Sequence, residues 1–229
     1  MNNPWERISF KERVLDIDKK EIDKHNHSNE GREDRIISTE YFPEPFIGDP
    51  GASIYLLLGN PGMEMDIHKR QKIIINIEKY AEYYLKNLRH EAENPIYPLF
   101  YLDPEFKGDE NGRNWWKKTL KNLEKDASSS MDRIAKEIFV VETYGYHSAK
   151  GENVLRKVES SKYTHYLVKK AIQEKKLIII ARSVRQWFDF VPELRNYENC
   201  HFLASNRGID LSEMTISPGA FNKIKEILK

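Results

Sequence analysis

Three short apolar runs do most to limit what this chain can fold into: Ser53-Ile-Tyr-Leu-Leu-Leu-Gly59, Ile138-Phe-Val-Val-Glu142 and Leu177-Ile-Ile-Ile-Ala181. Each is continuous rather than alternating, and each is too short for a helix. Runs of this kind read as strands covered on both faces. A weaker fourth run, His201-Phe-Leu-Ala204, follows. Between the runs, apolar residues recur at helical spacing. Asp66 to about Glu93 carries Ile67, Ile74, Ile77, Ala81, Tyr84, Leu85 and Leu88, and Asn94-Pro95 stops it. Further helices are expected at Trp115–Leu123, Met131–Lys136, Tyr163–Glu174, Val184–Phe190 and Gly219–Leu228, the last behind Ser217-Pro218.

Strands that alternate with helices lie parallel, with helices on both faces of the sheet. The expected fold is a three-layer α/β/α sandwich around a central, mostly parallel, four-stranded sheet. The 229 residues suit one domain. Residues 1–50 read as an N-terminal helix and an extended lead-in of that domain, and residues 51–229 as its α/β body. Within the lead-in, HNHSNEGRED reads as a loop and YFPEPFIGDPG is broken by three prolines.

Bulk properties remove several function classes. The single cysteine, Cys200, cannot form an internal disulfide and reads as a small core residue. The N-terminus has no apolar signal core, and no stretch approaches the ~20 apolar residues of a membrane span. The expected location is cytoplasmic, with no membrane partner. Net charge is only +1, but Lys150 to Arg185 holds ten basic side chains against three acidic, whereas residues 1 to 51 hold eight against twelve. Such a basic stretch is either a phosphate-facing patch or a solvated helix face.

In open parallel sheets, ligands bind beyond the carboxyl ends of the strands. Three of the four runs end there in small or polar turns: Gly59-Asn60-Pro61-Gly62, Tyr144-Gly-Tyr-His-Ser148 and Ser205-Asn-Arg-Gly208. The first turn holds a carboxamide between a glycine free to take positive φ and a proline of fixed φ. It is no P-loop, because the Gly-Lys-Ser/Thr signature is missing.

A buried strand that runs into Asn60-Pro61-Gly62 resembles the first motif of the uracil-DNA glycosylase superfamily. The closest branch is that of the mismatch-specific uracil and thymine glycosylases, whose motif reads Gly-x-Asn-Pro-Gly; Leu58 stands where that motif begins with Gly. A looser likeness is to a bacterial subgroup with a Tyr-His-Ser turn. The resemblance spans Ile54 to Leu228 and is topological outside this motif. It implies that Asn60 positions the hydrolytic water, with Gly59, Pro61 and Gly62 shaping the turn. Phe100 or Tyr101, then Phe106, would stack on an extruded base. The turn after the second run lacks the family's base-reading Asn and offers His147, Tyr146 and Ser148 instead. Ser205, Asn206 and Arg207 occupy the place of the family's second motif without its His and Pro. Arg182 and Arg185 would grip phosphates.

N-glycosidic cleavage needs no metal or cofactor, and the scattered histidines show no zinc spacing. The partner implied is nucleic acid, DNA first, or a nucleotide. Three readings follow: a glycosylase for a modified or mismatched base, a non-catalytic nucleic-acid or nucleotide-binding module of the same fold, and a hydrolase or transferase for small nucleotides or nucleosides.

Overall fold

A computed structural model describes residues 1–150, 157–204 and 208–229. The protein is α/β. The three apolar runs form β2 (Ile54–Leu57), β3 (Ile138–Val141) and β4 (Leu177–Ile180), each buried along its whole length. With β1 (Phe46–Ile47) and β5 (Cys200–Phe202) they make one sheet in the order β1-β3-β2-β4-β5. The last four strands are mutually parallel.

The sheet therefore has five strands rather than four. The extra one is β1, antiparallel to β3 with Phe46 opposite Val141 and Ile47 opposite Val140. It lies in the proline-broken lead-in, and the pairing continues beyond the strand. Glu142 N–H donates to Pro45 O (2.9 Å), Glu44 N–H to Gly145 O (2.8 Å) and Ser38 N–H to His147 O (2.9 Å). Pro43 and Pro45 lack N–H groups, which an edge segment tolerates and a central strand does not. The lead-in thus follows β3 and the loop after it, and Trp5, Ile22, Ile37 and Phe42 join the same core cluster as the strands.

The helices differ from expectation at their ends. α1 (Asp16–Ser28) runs through His25 and His27, where a loop was expected. The long helix after β2 is two, α2 (Ile67–Lys79) and α3 (Ala81–Leu88), divided at Tyr80. Asp66 caps α2 by accepting from His68 N–H and Lys69 N–H. α4 (Glu110–Ala127) starts five residues before Trp115, because Asp109 caps it by accepting from Gly112 N–H (3.1 Å). α5 (Met131–Glu137), α6 (Ser161–Gln173), α7 (Val184–Phe190) and α8 (Pro218–Leu228) complete the chain. Among the described residues, no helix is long and apolar enough to cross a membrane.

Candidate active site

β2 is central, with β3 on one side and β4 on the other. The chain leaves β2 toward β3 and later returns across β2 to β4. The loops after β2 and β4 therefore diverge, which opens a crevice at their carboxyl ends. A pocket of about 530 Å³ lies there, in the size range of small-molecule sites.

One wall is the turn after β2. Leu58 N–H donates to Val141 O (2.9 Å), and Leu58 O accepts from Thr143 Oγ1 (2.9 Å) and the buried Trp187 indole (2.6 Å). Gly59 is needed for proximity rather than for its φ. A Cβ there would sit 2.6 Å from Ser183 Oγ, and neither Gly59 nor Gly62 takes positive φ. The Asn60 carboxamide is oriented by three acceptors of its Nδ2: Pro61 O (3.0 Å), Ser148 O (3.2 Å) and Ser148 Oγ (3.0 Å). Those contacts decide which end is nitrogen. Asn60 Oδ1 takes no hydrogen bond from the described residues, so this wall offers one fixed acceptor.

The rest of the lining is acidic. The lead-in delivers Tyr41 and Glu44, α4 delivers Asp109 and Trp116, and the end of β3 delivers Glu142. Tyr101 Oη donates to Glu44 Oε1 (2.7 Å); burial, then the Glu44 charge, holds this phenol well above its usual range, so it stays a donor. His147 is only 5% exposed and stacks on Tyr41 at 4.6 Å between ring centroids. Its Nδ1 donates to Gly62 O (2.6 Å), which leaves Nε2 facing Glu44 Oε1 at 3.5 Å, within ion-pair reach but without a hydrogen bond. Burial lowers the His147 pKa, but the Glu44 charge, the Gly62 carbonyl and Asp109 together outweigh it, so the net shift is upward. Asp109 is raised by burial against the Gly112 N–H that holds it down.

Glu142 is the outlier. It is 6% exposed, and its Oε2 is buried with no hydrogen-bond partner among the described residues. Burial, then the nearby Glu44 charge, pushes it well above the usual carboxylate range and favours the protonated acid.

Compared with protein-family models, curated proteins and solved structures, the chain matches none. The site therefore has to be read from its own chemistry.

The pocket brings together Gly59, Asn60, Pro61, Gly62, Tyr101, His147 and Arg182. Ser148 lies behind it, as the residue that orients Asn60. Phe100 does not line the pocket; it is buried, stacked on Tyr101 at 4.7 Å, and Phe106 packs edge-on against both. Tyr146 points elsewhere, with its hydroxyl donating to the buried Asp18 (2.8 Å). Arg185 is exposed on α7 and lines no part of the pocket. Ser205, Asn206 and Arg207 lie outside the described residues.

Sequence reasoning missed Tyr41, Glu44, Asp109 and Glu142. The last carried a usable signal, an acid directly after a buried parallel strand. Half of the ten basic side chains of the Lys150–Arg185 stretch are in ion pairs: Lys150 with Asp34, Lys162 with Glu159, Lys169 with Glu193, and Lys170 and Lys176 with Glu174. Burial pushes the Cys200 thiol up to about 12, which makes it a poor nucleophile. Among the described residues, no group of three or more His, Cys, Asp or Glu is arranged to hold a metal ion.

Proposed function

We propose that this chain is a DNA glycosylase-like N-glycosyl hydrolase that acts on a modified or mismatched base with a water held by Asn60. On this reading its sheet is the middle layer of a three-layer α/β/α sandwich of the uracil-DNA glycosylase kind. The observation that carries the proposal is the Asn60 carboxamide, tied through Nδ2 to Ser148 and Pro61 with Oδ1 left as an acceptor.

N-glycosidic cleavage builds positive charge on the sugar and negative charge on the departing base. A water donating to Asn60 Oδ1 would attack the anomeric carbon. The carboxylates of the pocket would stabilise the oxocarbenium-like sugar. His147, whose pKa is held up mainly by Glu44, would place positive charge beside the departing base. Tyr101 and the two tryptophans supply flat apolar surface for a base.

A second reading has an observation of its own. Glu44, Glu64, Asp109 and Glu142 line the pocket against Arg182 and His147, and much of the basic stretch is spent on ion pairs. That balance suits a free nucleoside better than a phosphate backbone.

The test is base release from duplex and single-stranded oligonucleotides carrying uracil, thymine mismatches, hypoxanthine and bulky modified pyrimidines, with the matching free nucleosides alongside. Release from oligonucleotides that Asn60→Ala abolishes supports the glycosylase. Release from nucleosides alone supports the second reading. Salt-sensitive binding without release would reduce the protein to a binding module.

A further inference from the structure

We propose that the base this pocket accepts carries a fixed positive charge, with an N7-alkylated purine as the type. The proposal rests on the N-glycosyl hydrolase reading and names its substrate class.

Most acids of the pocket already have partners. Glu44 accepts from Tyr101 and faces His147. Glu64 accepts from Asn111 Nδ2 (3.0 Å). Asp109 caps α4. Glu142 has nothing: its carboxyl makes no hydrogen bond to the described residues, although it is nine-tenths buried and lines the pocket. A buried carboxyl without a partner costs free energy unless a ligand or a proton satisfies it. Crowding it with Glu44 makes the local field negative, a field that retains protons and attracts any other cation.

The rest of the lining agrees. Trp115 and Trp116 sit edge to face at 4.7 Å, with Trp115 42% exposed, and Tyr41 also lines the pocket. Aromatic faces beside carboxylates form a cation site, because ring quadrupole and charge attract the same ligand. A neutral pyrimidine such as uracil brings no positive charge to offset these acids, and its carbonyl oxygens are repelled by any of them that is ionised. A guanine alkylated at N7 carries its charge in the ring, and its N1–H and N2–H donors match the two oxygens of a carboxylate that gives up its proton to solvent as the cation enters.

The chemistry balances without an acid aimed at the base. The C1′–N9 bond breaks with its electron pair moving into the positively charged imidazole ring, so the base leaves neutral. The water oxygen bonds to C1′, and its surplus proton passes to a carboxylate of the pocket.

Two measurements test this. The first is titration of the protein with 7-methylguanosine and with guanosine, followed by tryptophan fluorescence. The second is base release from oligonucleotides carrying 7-methylguanine, uracil or hypoxanthine. The expected result is a preference of at least ~10-fold for the cationic member in both, which Glu142→Gln reduces by about the same factor. Equal or absent binding of the two nucleosides by the wild-type protein overturns the proposal, whatever the variant does. Release of neutral bases with no gain for 7-methylguanine also overturns it, and leaves the hydrolase reading standing. Preferential binding of 7-methylguanosine with no release from any substrate keeps the cation site and removes the hydrolase. Release from the oligonucleotide alone, or from the nucleoside alone, supports the proposal and names the source of the base.

Discussion

Asn60 and Glu142 follow neighbouring parallel strands and line one pocket, yet their side chains are treated in opposite ways. Asn60 is held by three hydrogen bonds from its Nδ2, and the turn that bears it is laced to the loop after β3. Glu142 is buried, and its carboxyl makes no hydrogen bond to the described residues. A tied amide keeps one geometry whether or not a ligand is present, as a water-positioning group must. An untied buried acid is a deficit that a ligand can fill. The two walls thus divide positioning from recognition.

The first way to break that comparison is to loosen the tied wall from behind. Trp187 is fully buried, and its indole N–H closes Leu58 O at the root of the turn. Trp187→Ala is expected to lower stability by about 3–5 kcal/mol in denaturant unfolding. A loss below about 1 kcal/mol would mean that the turn does not depend on the interior beneath it.

Ser148→Ala acts nearer the site. It removes the hydroxyl that accepts from Asn60 and leaves Pro61 O and Ser148 O to hold the amide less firmly. We expect about 0.5–1.5 kcal/mol of destabilisation and a fall in kcat larger than any change in KM. A change confined to KM would show that Ser148 shapes binding and does not orient Asn60.

The untied wall should respond in the other direction. The Glu142 pKa is raised in the folded protein, so folding binds a proton there. Its contribution to stability is complete below the unfolded value near 4.5 and is lost as pH rises toward the folded value. Glu142→Gln escapes that loss. Its melting temperature should exceed that of the wild type by a margin that widens as pH rises from about 4.5. A variant less stable than wild type across that range would mean that Glu142 has a partner in solution.

The smallest effect is a titration. Glu44 opposes the burial that would otherwise lower the His147 pKa. In Glu44→Gln, NMR of the imidazole nitrogens should show His147 titrating below its wild-type value. An unchanged value would place the source of the upward shift elsewhere.

The two walls also differ in how far the sequence revealed them. The tied wall was legible because it is local. Continuous apolar runs mark β2, β3 and β4, and the groups that matter sit within a few residues of their ends: Asn60 after β2, His147 and Ser148 after β3. Apart from Glu142, which directly follows β3, the acidic wall depends on distant pairing. Glu44 lies between two prolines in a segment without periodicity, and it reaches the pocket only because that segment pairs with the chain beyond β3. Asp109 lies in a charged, glycine-containing stretch, and its place in the wall follows from its role as the cap of α4. Tyr146 shows the converse. It shares a loop with His147, but sequence proximity does not fix direction, and its hydroxyl faces Asp18. Among rings, Phe100 and Tyr101 are adjacent, yet only Tyr101 reaches the pocket.

The most direct test of the account is single-turnover base release by wild type and Asn60→Ala on the best substrate of the panel, with affinity measured on the same substrate. The account predicts a fall of about 10²- to 10³-fold in the rate, with affinity changed by only a few-fold. Release by Asn60→Ala at the wild-type rate would contradict it.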